Sequence, residues 1–257
     1  MNIGIIGLGF VGGSMLRSFQ LKQVSVKGYD KFKNSDVDNI QDLLTSDILF
    51  LCLPTLFNEQ TFEYDKNAIH EVCDQLLDYK GIVVIKSTVE PETTEHLCLK
   101  YPQLQFVHNP EFLTARTAFE DFHNQTHIVL GKSSKCSEEN LNKVKTFYHT
   151  YYPDADISMC TSLESESMKI FCNSFYASKV MLFNEYYLLC QKNGSDFYRI
   201  KQLMLKNNWI NPMHTNVPGP DEQLGYGGDC FPKDTKAFNE YMKQKGSPNR
   251  VLNSVIQ

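Results

Sequence analysis

The sequence lacks the features that mark several protein classes. Its eight cysteines include no CxxC pair, so we predict neither a metal site nor a disulfide framework, and a reducing, cytoplasmic location is favoured. It has no basic stretch, and its net charge of −5 argues against nucleic acid as a partner. It also has no long apolar run, so we expect no signal peptide and no membrane partner. Internal repeats and low-complexity tracts are absent as well.

A glycine-rich turn opens the chain. It follows a short apolar run and precedes a helical pattern, and the next apolar run ends at Asp30. In this setting the glycines allow a tight turn, a close approach of a pyrophosphate to the helix N-terminus, and close packing of helix on strand. The Asp30 carboxylate suits a ribose 2′-hydroxyl and repels a 2′-phosphate. We therefore predict NAD as the cofactor, bound by Gly7, Gly9, Phe10, Val11, Gly12 and Asp30.

Apolar runs then alternate with helical patterns, which predicts a Rossmann-type, doubly wound parallel sheet. The predicted strands are 3–6, 24–29, 47–53, 81–85, 105–108 and 127–130. Ligands of such sheets bind beyond the carboxyl ends of the strands, where Thr55, Thr88 and Glu111 fall. Turn or capping chemistry is the alternative for the two threonines, and a solvated loop position is the alternative for Glu111.

The second half of the chain predicts helices. Nothing between Ser162 and Asn193 breaks a helix, and its apolar residues recur at helical spacing. Glu166, Lys169 and Asn173 fall on one face of this helix, for which an ordinary solvated face is the alternative. We therefore predict an α/β protein with the Rossmann-type domain over residues 1–158, followed by an all-helical domain with a long central helix over residues 159–257.

The most informative stretch lies near the C-terminal end. It reads Gly225-Tyr226-Gly227-Gly228-Asp229-Cys230-Phe231-Pro232-Lys233-Asp234 and follows a long loop over 207–228. An amphipathic run from Asp234 to Lys245 predicts a helix, and Pro232 suits its first turn. The helix N-terminus and the charge of Lys233 both favour the thiolate form of Cys230, which makes this cysteine a candidate nucleophile. A small residue packed behind a glycine turn is the alternative.

Together these motifs resemble the UDP-glucose/GDP-mannose dehydrogenase family of nucleotide-sugar dehydrogenases. The matching stretches run in family order across nearly the whole chain, and the one that contains Cys230 is highly specific. They are 7–12, 86–89, 109–113, 166–173 and 225–234. The resemblance implies the NAD-dependent, four-electron oxidation of the C6 alcohol of a nucleotide sugar, with UDP-glucose to UDP-glucuronate as the expected conversion.

The resemblance also implies a role for each matching residue. Cys230 would hold the aldehyde as a thiohemiacetal and then as a thioester, which water hydrolyses with Glu111 as base. Lys169 would stabilise the oxyanion at C6, Asn173 would hydrogen-bond the same oxygen, and Asp234 would hold a water or accept a proton. The expected catalytic residues are Cys230, Lys169, Asn173, Asp234, Glu111 and Thr88. The cofactor-binding residues are those of the glycine turn and Asp30, together with Thr55, Thr88 and Lys233. The substrate-binding residues are Glu111, Phe112, Leu113, Lys169, Asn173, Tyr226 and Gly227.

Two features depart from the family pattern. The family usually has a second glutamate four residues after the one matched by Glu111, and this chain has Ala115 there, with Glu120 as a neighbouring acid that could replace it. The family also has a third domain after the cysteine helix, which grips the nucleotide, whereas this sequence ends at Gln257. The chain is therefore expected to be a fragment, a naturally short form, or one half of an enzyme whose separate second chain supplies that domain.

The expected assembly is a homodimer formed through the long helix. Two other functions stay open. A two-electron hydroxyacid dehydrogenase shares the same framework but does not need Cys230. A non-catalytic nucleotide-binding module is favoured by Ala115 and by the missing third domain, whereas the joint presence of Lys169, Asn173, Cys230 and Asp234 speaks against it. The sequence does not distinguish one nucleotide sugar from another.

Overall fold

The structure is a computed structural model and describes residues 1–256. The chain divides into two compact units: the first contains residues 1–56 and 64–169, and the second contains residues 57–63 and the part of the chain after residue 169. The division falls within the longest helix. The domain boundary predicted between residues 158 and 159 stays a prediction.

Within the described residues the chain forms nine strands and nine α-helices. The strands are β1 (Asn2–Ile6), β2 (Ser25–Tyr29), β3 (Ile48–Leu51), β4 (Phe57–Asn58), β5 (Glu63–Tyr64), β6 (Ile82–Ile85), β7 (Gln105–His108), β8 (His127–Lys132) and β9 (Asp156–Thr161). The helices are α1 (Phe10–Leu21), α2 (Asn67–Gln75), α3 (Thr93–Lys100), α4 (Ala118–His123), α5 (Glu138–Tyr151), α6 (Ser162–Asn193), α7 (Phe197–Leu205), α8 (Phe231–Gln244) and α9 (Arg250–Val255). Short 3-10 turns lie at Ile40–Leu43 and Ala115–Thr117.

The first unit is built on a seven-stranded sheet in the order β2-β1-β3-β6-β7-β8-β9. The first five strands in this order are parallel, as predicted. Strand β1 pairs with β2 on one side and with β3 on the other, so the strand order reverses next to the glycine turn that follows β1. This switch point is where open α/β sheets bind their ligands.

Helices cover both faces of this sheet. On β3, Ile48 and Phe50 belong to a buried cluster with residues of α1 and α5, whereas Leu49 and Leu51 belong to a second cluster with residues of α2 and α3. Because side chains of a strand point alternately to the two faces, a strand buried on both faces is apolar at every position. This explains why β3 and β6 were visible in the sequence as continuous apolar runs.

The sheet departs from the predicted parallel arrangement at its far edge. Strand β8 runs antiparallel to β7, with His108 opposite Gly131, and β9 pairs in parallel with β8. A parallel connection needs a crossover element that packs back onto the sheet. The short helix α4 instead packs on α1, where the Arg17 guanidinium lies 3.9 Å from the centre of the Phe119 ring. The predicted boundary between residues 158 and 159 falls within β9.

The second unit is mainly helical. Helix α6 has the predicted bounds and contains 32 residues. Helix α7 begins after Asp196, whose carboxylate accepts a hydrogen bond from the backbone N–H of Arg199. Helix α8 begins at Phe231, directly after Cys230, and has Pro232 in its first turn as predicted. Among residues 1–256, none of the helices combines the length and the apolar character of a membrane-spanning segment.

Candidate active site

The glycine turn has the shape that a dinucleotide requires. Gly7 has a φ of +92°, and a Cβ there would lie 2.4 Å from the carbonyl oxygen of Cys52. A Cβ on Gly12 would lie 1.9 Å from the carbonyl oxygen of Gly7, so the third glycine is needed for α1 to pack against the turn. Gly9 differs, because no atom of the described residues lies within 4 Å of a Cβ built there. The turn thus leaves an open approach to the N-terminus of α1, which fits a pyrophosphate.

Asp30 lies directly after β2 and is fixed by backbone groups. One carboxylate oxygen accepts a hydrogen bond from the N–H of Leu8, and the other accepts from the N–H groups of Phe32 and Lys33. Burial alone would raise the pKa of Asp30, but these hydrogen bonds outweigh it and the pKa lies below its usual value. The carboxylate is therefore ionised and held beside the glycine turn, as binding of a ribose hydroxyl requires.

The other residues predicted to bind the cofactor lie around this turn. Phe10 and Val11 form the first turn of α1; the Phe10 ring is exposed, whereas Val11 packs against the core. The buried Thr55 hydroxyl donates to the carbonyl oxygen of Thr88 at 2.7 Å. This bond joins the loops after β3 and β6, so the Thr55 hydroxyl serves the turn chemistry that was its alternative interpretation. Contact of these side chains with the cofactor stays a prediction.

A buried ion pair lies at the carboxyl ends of the strands. Lys169 Nζ is 2.9 Å from Glu111 Oε1, and both side chains are nearly buried. The other Glu111 oxygen accepts the backbone N–H of Leu113, and the Phe112 ring lies 5.5 Å from the Lys169 ammonium. Burial would raise the pKa of Glu111, but the charge of Lys169 and the N–H of Leu113 hold it below its usual value. An ionised base and a cation are thus placed together.

Two further buried polar residues beside this pair were given no role from the sequence. Lys86 follows β6, is 2% exposed, and donates to Asn109 Oδ1 and to the carbonyl oxygen of Pro110. His108 is fully buried, and its Nδ1 lies 2.8 Å from the Ser165 hydroxyl. Burial and then the charges of Lys86 and Lys169 lower the pKa of His108 to about 3. The sequence offered one signal for Lys86. It is a charged residue directly after the continuous apolar run of β6, where the backbone is still buried.

Three predicted residues meet in the second unit. Asp234, in the first turn of α8, is completely buried. Its Oδ2 accepts a hydrogen bond from Asn173 Nδ2, and its Oδ1 pairs with Lys233 Nζ, both at 2.6 Å. Lys233, predicted to bind the cofactor, is thus an ion-pair partner of Asp234. The pairing of an amide, a carboxylate and an ammonium can orient a water or a substrate oxygen.

Cys230 occupies the helix start that the sequence predicted. It is the N-cap residue of α8, directly before Phe231, and it is exposed. Partial positive charge collects at a helix N-terminus, so this position favours a thiolate over a thiol. The sulfur is therefore accessible and placed where a cysteine gains nucleophilic character.

The glycine-rich approach to Cys230 is anchored by its tyrosine. The Tyr226 hydroxyl lies 3.2 Å from the Thr235 hydroxyl on α8 and donates to the carbonyl oxygen of Val255 on α9. Tyr226 is buried, whereas Gly227 next to it is exposed. The structure thus gives the Tyr226 hydroxyl a role in holding the loop. Contact of Tyr226 and Gly227 with a substrate stays a prediction.

Glu166 has a different environment from the residues with which it shares a helical face. Its buried carboxylate accepts hydrogen bonds from the N–H of Glu92 and from the N–H and hydroxyl of Thr94. It therefore caps the start of α3. Ala115, at the place of the second family glutamate, lies in an exposed 3-10 turn, and Glu120 is exposed on α4.

Comparison with known families finds two models from one family. Residues 31–151 match the UDP-glucose/GDP-mannose dehydrogenase family, NAD binding domain, and residues 163–257 match the central domain of the same family. The two models together cover most of the chain. The N-terminal part is thus an NAD-binding domain, which confirms the cofactor predicted from the glycine turn and Asp30.

Individual relatives agree with this assignment. The UDP-glucose 6-dehydrogenase of Rickettsia bellii (strain RML369-C) is 30% identical over 228 residues, which cover 84% of this chain and 50% of the relative. The chain therefore spans about half the length of the curated relatives that it matches. A solved UDP-glucose dehydrogenase from the hyperthermophilic archaeon Pyrobaculum islandicum has a TM-score of 0.87 at 24% identity, over 99% of this chain and 66% of that chain.

A solved 3-hydroxyisobutyrate dehydrogenase from Mycobacterium tuberculosis also shares the fold. Its TM-score is 0.78 at 16% identity, over 99% of this chain and 90% of that chain. At these identities the two structures establish the fold and not the reaction. The choice between the two kinds of dehydrogenase therefore depends on the residues of the site.

Proposed function

Because the chain belongs to the UDP-glucose/GDP-mannose dehydrogenase family, we propose that it oxidises the C6 hydroxyl of a nucleotide sugar to a carboxylate. One observation carries the proposal, which is the exposed Cys230 at the N-terminus of α8. A two-electron dehydrogenase needs no such thiol. UDP-glucose is the substrate that we propose, in keeping with the name of the Rickettsia relative.

The proposed reaction removes four electrons in two steps. NAD, when bound at the glycine turn, would supply the hydride acceptor for each oxidation, so the reaction would consume two NAD and one water for each sugar. The first oxidation removes a hydride from C6 and the hydroxyl proton, which leaves an aldehyde. The Cys230 thiolate then forms a bond to C6 of the aldehyde, and the aldehyde oxygen takes up a proton from solvent. The resulting thiohemiacetal loses a hydride and a proton to give a thioester. Addition of water then breaks the S–C6 bond, which releases the carboxylate and the thiolate.

The ion pair of the first unit supplies a base and a cation. We assign Glu111 to the hydrolysis, where its ionised carboxylate takes a proton from the attacking water. We assign Lys169 to the oxygen on C6, because a cation placed in advance stabilises the charge that develops there. Their separation of 2.9 Å supports these roles, since the ammonium also holds the carboxylate in its ionised form. Thr88, half-buried after β6, is assigned to a hydrogen bond with the water or the cofactor.

The polar cluster of the second unit is assigned to orientation. Asn173 is held by Asp234 at 2.6 Å, which leaves its amide in one orientation for the substrate oxygen. Asp234 in turn is assigned to hold a water or accept a proton. Its neighbour Lys233 lies 2.6 Å from the other carboxylate oxygen and fixes it in place.

The stoichiometry of the reaction tests the proposal. The full chain is incubated with NAD and a limiting amount of UDP-glucose, and the NADH formed is measured for each sugar consumed. Two NADH with UDP-glucuronate as product support the proposal. One NADH would favour a two-electron hydroxyacid dehydrogenase, the alternative that the fold of the mycobacterial enzyme supports. Calorimetric binding of NAD and UDP-glucose with no NADH would identify a binding module.

Substitution of the nucleophile tests its role directly. Cys230→Ser should stall the acid-forming step, because a serine hydroxyl is a much weaker nucleophile near neutral pH than a cysteine thiolate. The matched control is Cys160→Ser, a half-buried cysteine on β9, which should form the acid at the wild-type rate. Unchanged acid production by Cys230→Ser would remove this cysteine from the mechanism.

Helix α6 supports the proposed homodimer. Phe175, Leu182 and Leu189 recur every seven residues and are each about half exposed or more. A spacing of seven places them along one face, which suits packing of one helix against a second copy. The proposal further assigns nucleotide recognition in part to a segment beyond this sequence or to a separate chain, since the curated relatives are about twice as long. The cytoplasmic location stays a prediction.

A further inference from the structure

Lys86 is the buried cation that the proposed roles do not yet use. It directly follows β6, and its Nζ donates to Asn109 Oδ1 at 3.1 Å and to the Pro110 carbonyl oxygen at 3.0 Å. These two acceptors belong to the two residues that immediately precede Glu111. Burying an ammonium away from water costs free energy unless other groups accept its hydrogen bonds. The position of Lys86 Nζ is therefore set by the groups that it contacts.

The turn that Lys86 contacts is fixed at several other points. The Asn109 side chain donates to the Val129 carbonyl oxygen at 2.7 Å, and its Oδ1 also accepts the Tyr148 hydroxyl at 2.5 Å. The Asn109 backbone N–H donates to the Ile85 carbonyl oxygen. The Pro110 carbonyl oxygen, by contrast, accepts its hydrogen bond from Lys86 Nζ. The ammonium therefore joins the fixed side chain of Asn109 to the backbone of the next residue, from which Glu111 extends.

Charge gives Lys86 a second effect on Glu111. Burial would raise the pKa of Glu111; Lys169, the Leu113 N–H and then Lys86 lower it. Burial lowers the pKa of Lys86 itself to about 8; Cys52 and Glu111 oppose this shift when they are ionised, and the charge of Lys169 assists it. The titratable groups that act on Lys86 are therefore Cys52 after β3, Glu111 and Lys169, and Lys86 in turn acts on the buried His108. Cys52 and His108 are neutral near pH 7, because burial raises the pKa of Cys52 to about 12 and lowers that of His108 to about 3.

We propose that Lys86 is a positioning residue for Glu111. Its ammonium holds the Asn109–Pro110 turn so that the Glu111 carboxylate meets Lys169, and its charge favours the ionised carboxylate that the hydrolysis needs. The inference rests on the proposed function for its catalytic meaning. Its physical content, the control of Glu111 by Lys86, is measurable without any turnover.

The experiment compares the wild type with Lys86→Met, which keeps an unbranched side chain one atom shorter and removes the charge. The full chain is labelled with ¹³C at the glutamate carboxyl groups, and the Glu111 resonance is identified by its absence in Glu111→Gln. We expect the titration midpoint of Glu111 to rise by about one pH unit in Lys86→Met, as loss of a nearby opposite charge produces. Lys143→Met removes an exposed lysine on α5 and should leave the midpoint unchanged.

Kinetics then test the positioning role. In Lys86→Met, kcat for acid formation should fall about tenfold or more with the acidic limb of its pH profile moved upward, while KM for NAD stays the same. A folded Lys86→Met with the wild-type Glu111 midpoint and the wild-type pH profile would overturn the inference. If Lys86→Met does not fold, Lys86→Gln carries the same test, because its amide keeps a donor for the turn and lacks the charge.

The outcomes separate this inference from the proposed function. If the wild type forms no NADH with nucleotide sugars, the proposed function fails, whereas the shift of the Glu111 midpoint still decides the role of Lys86. If the wild type turns over and the midpoint does not move, the proposed function stands and Lys86 has no control over Glu111.

Discussion

Glu166 allows a test that separates a structural role from a catalytic one. Its spacing in the sequence places it on one face of α6 with Lys169 and Asn173, yet its carboxylate receives three hydrogen bonds from residues 92 and 94 at the start of α3. The informative change is Glu166→Gln, because glutamine keeps the size of the side chain and removes its charge. We expect this change to alter how stability depends on pH, and to leave the NAD affinity of the folded protein unchanged.

The sign of the effect follows from the pKa of Glu166. Burial raises it from the ordinary 4.5 to about 7, although the hydrogen bonds from Thr94 and Glu92 oppose this. Between these two values the folded chain holds a proton that the unfolded chain has lost, so a rise in pH favours unfolding. One pKa unit corresponds to about 1.4 kcal/mol, so this carboxyl group should remove about 3 kcal/mol of wild-type stability as the pH rises through this range. The glutamine variant has no carboxyl group at this position, so its stability does not fall with pH for this reason.

The variant should therefore change rank with pH. At about pH 5 it should be less stable than the wild type by about 1 to 3 kcal/mol, because its NH₂ group cannot accept one of the backbone N–H donors of α3. At about pH 8 this difference should vanish or reverse. Urea unfolding followed by far-UV circular dichroism at both pH values measures it, with the exposed Glu139→Gln on α5 as control. A constant difference between the two proteins from about pH 5 to about pH 8 would refute the reasoning.

Two other predictions concern the glycine turn and the long helix. Gly12→Ala should cost about 3 kcal/mol or more of folding stability, because its Cβ would lie 1.9 Å from the Gly7 carbonyl oxygen. Gly9→Ala should keep the wild-type melting temperature. It should bind NAD at least about tenfold more weakly by calorimetry, because its methyl group fills the open approach to the N-terminus of α1. Equal losses of stability would contradict this contrast. Leu182→Glu on the exposed face of α6 should give a monomer in sedimentation velocity, whereas Leu99→Glu on the exposed face of α3 should not; a dimeric Leu182→Glu would exclude that face as the interface.

The parallel part of the sheet could be predicted because its signals are local. Strands β3 and β6 are buried on both faces. A strand buried on both faces has apolar residues at consecutive positions, which is visible in the sequence. The bounds of α6 could be predicted for a similar reason, since no glycine or proline occurs between Ser162 and Gly194. The glycine turn was visible because its spacing is set within one strand–turn–helix unit, where a Cβ on Gly12 would meet the Gly7 carbonyl oxygen.

The direction of β8 could not be predicted, because it depends on a contact between distant segments. Its apolar run has the same pattern whether the strand is parallel or antiparallel, and α4, which lies between β7 and β8 in the chain, packs on the distant α1. The surroundings of Glu166 could not be predicted for the same reason. Helical spacing identifies the residues that share a face, but the groups that Glu166 contacts, at the start of α3, come from a segment more than 70 residues away.

The composition of the buried charge cluster in the first unit argues for a chemical role. Lys86, Glu111 and Lys169 are 2%, 8% and 5% exposed, and each buried ion costs several kcal/mol of desolvation. A fold alone would be served as well by apolar residues of similar volume, which are often neutral or stabilising replacements for buried ions. Two lysines beside one glutamate also produce a positive environment, which contributes with burial to lowering the pKa of His108 to about 3. Such an environment favours an oxygen that becomes negative during a reaction, so the cluster is consistent with the roles proposed for Glu111 and Lys169.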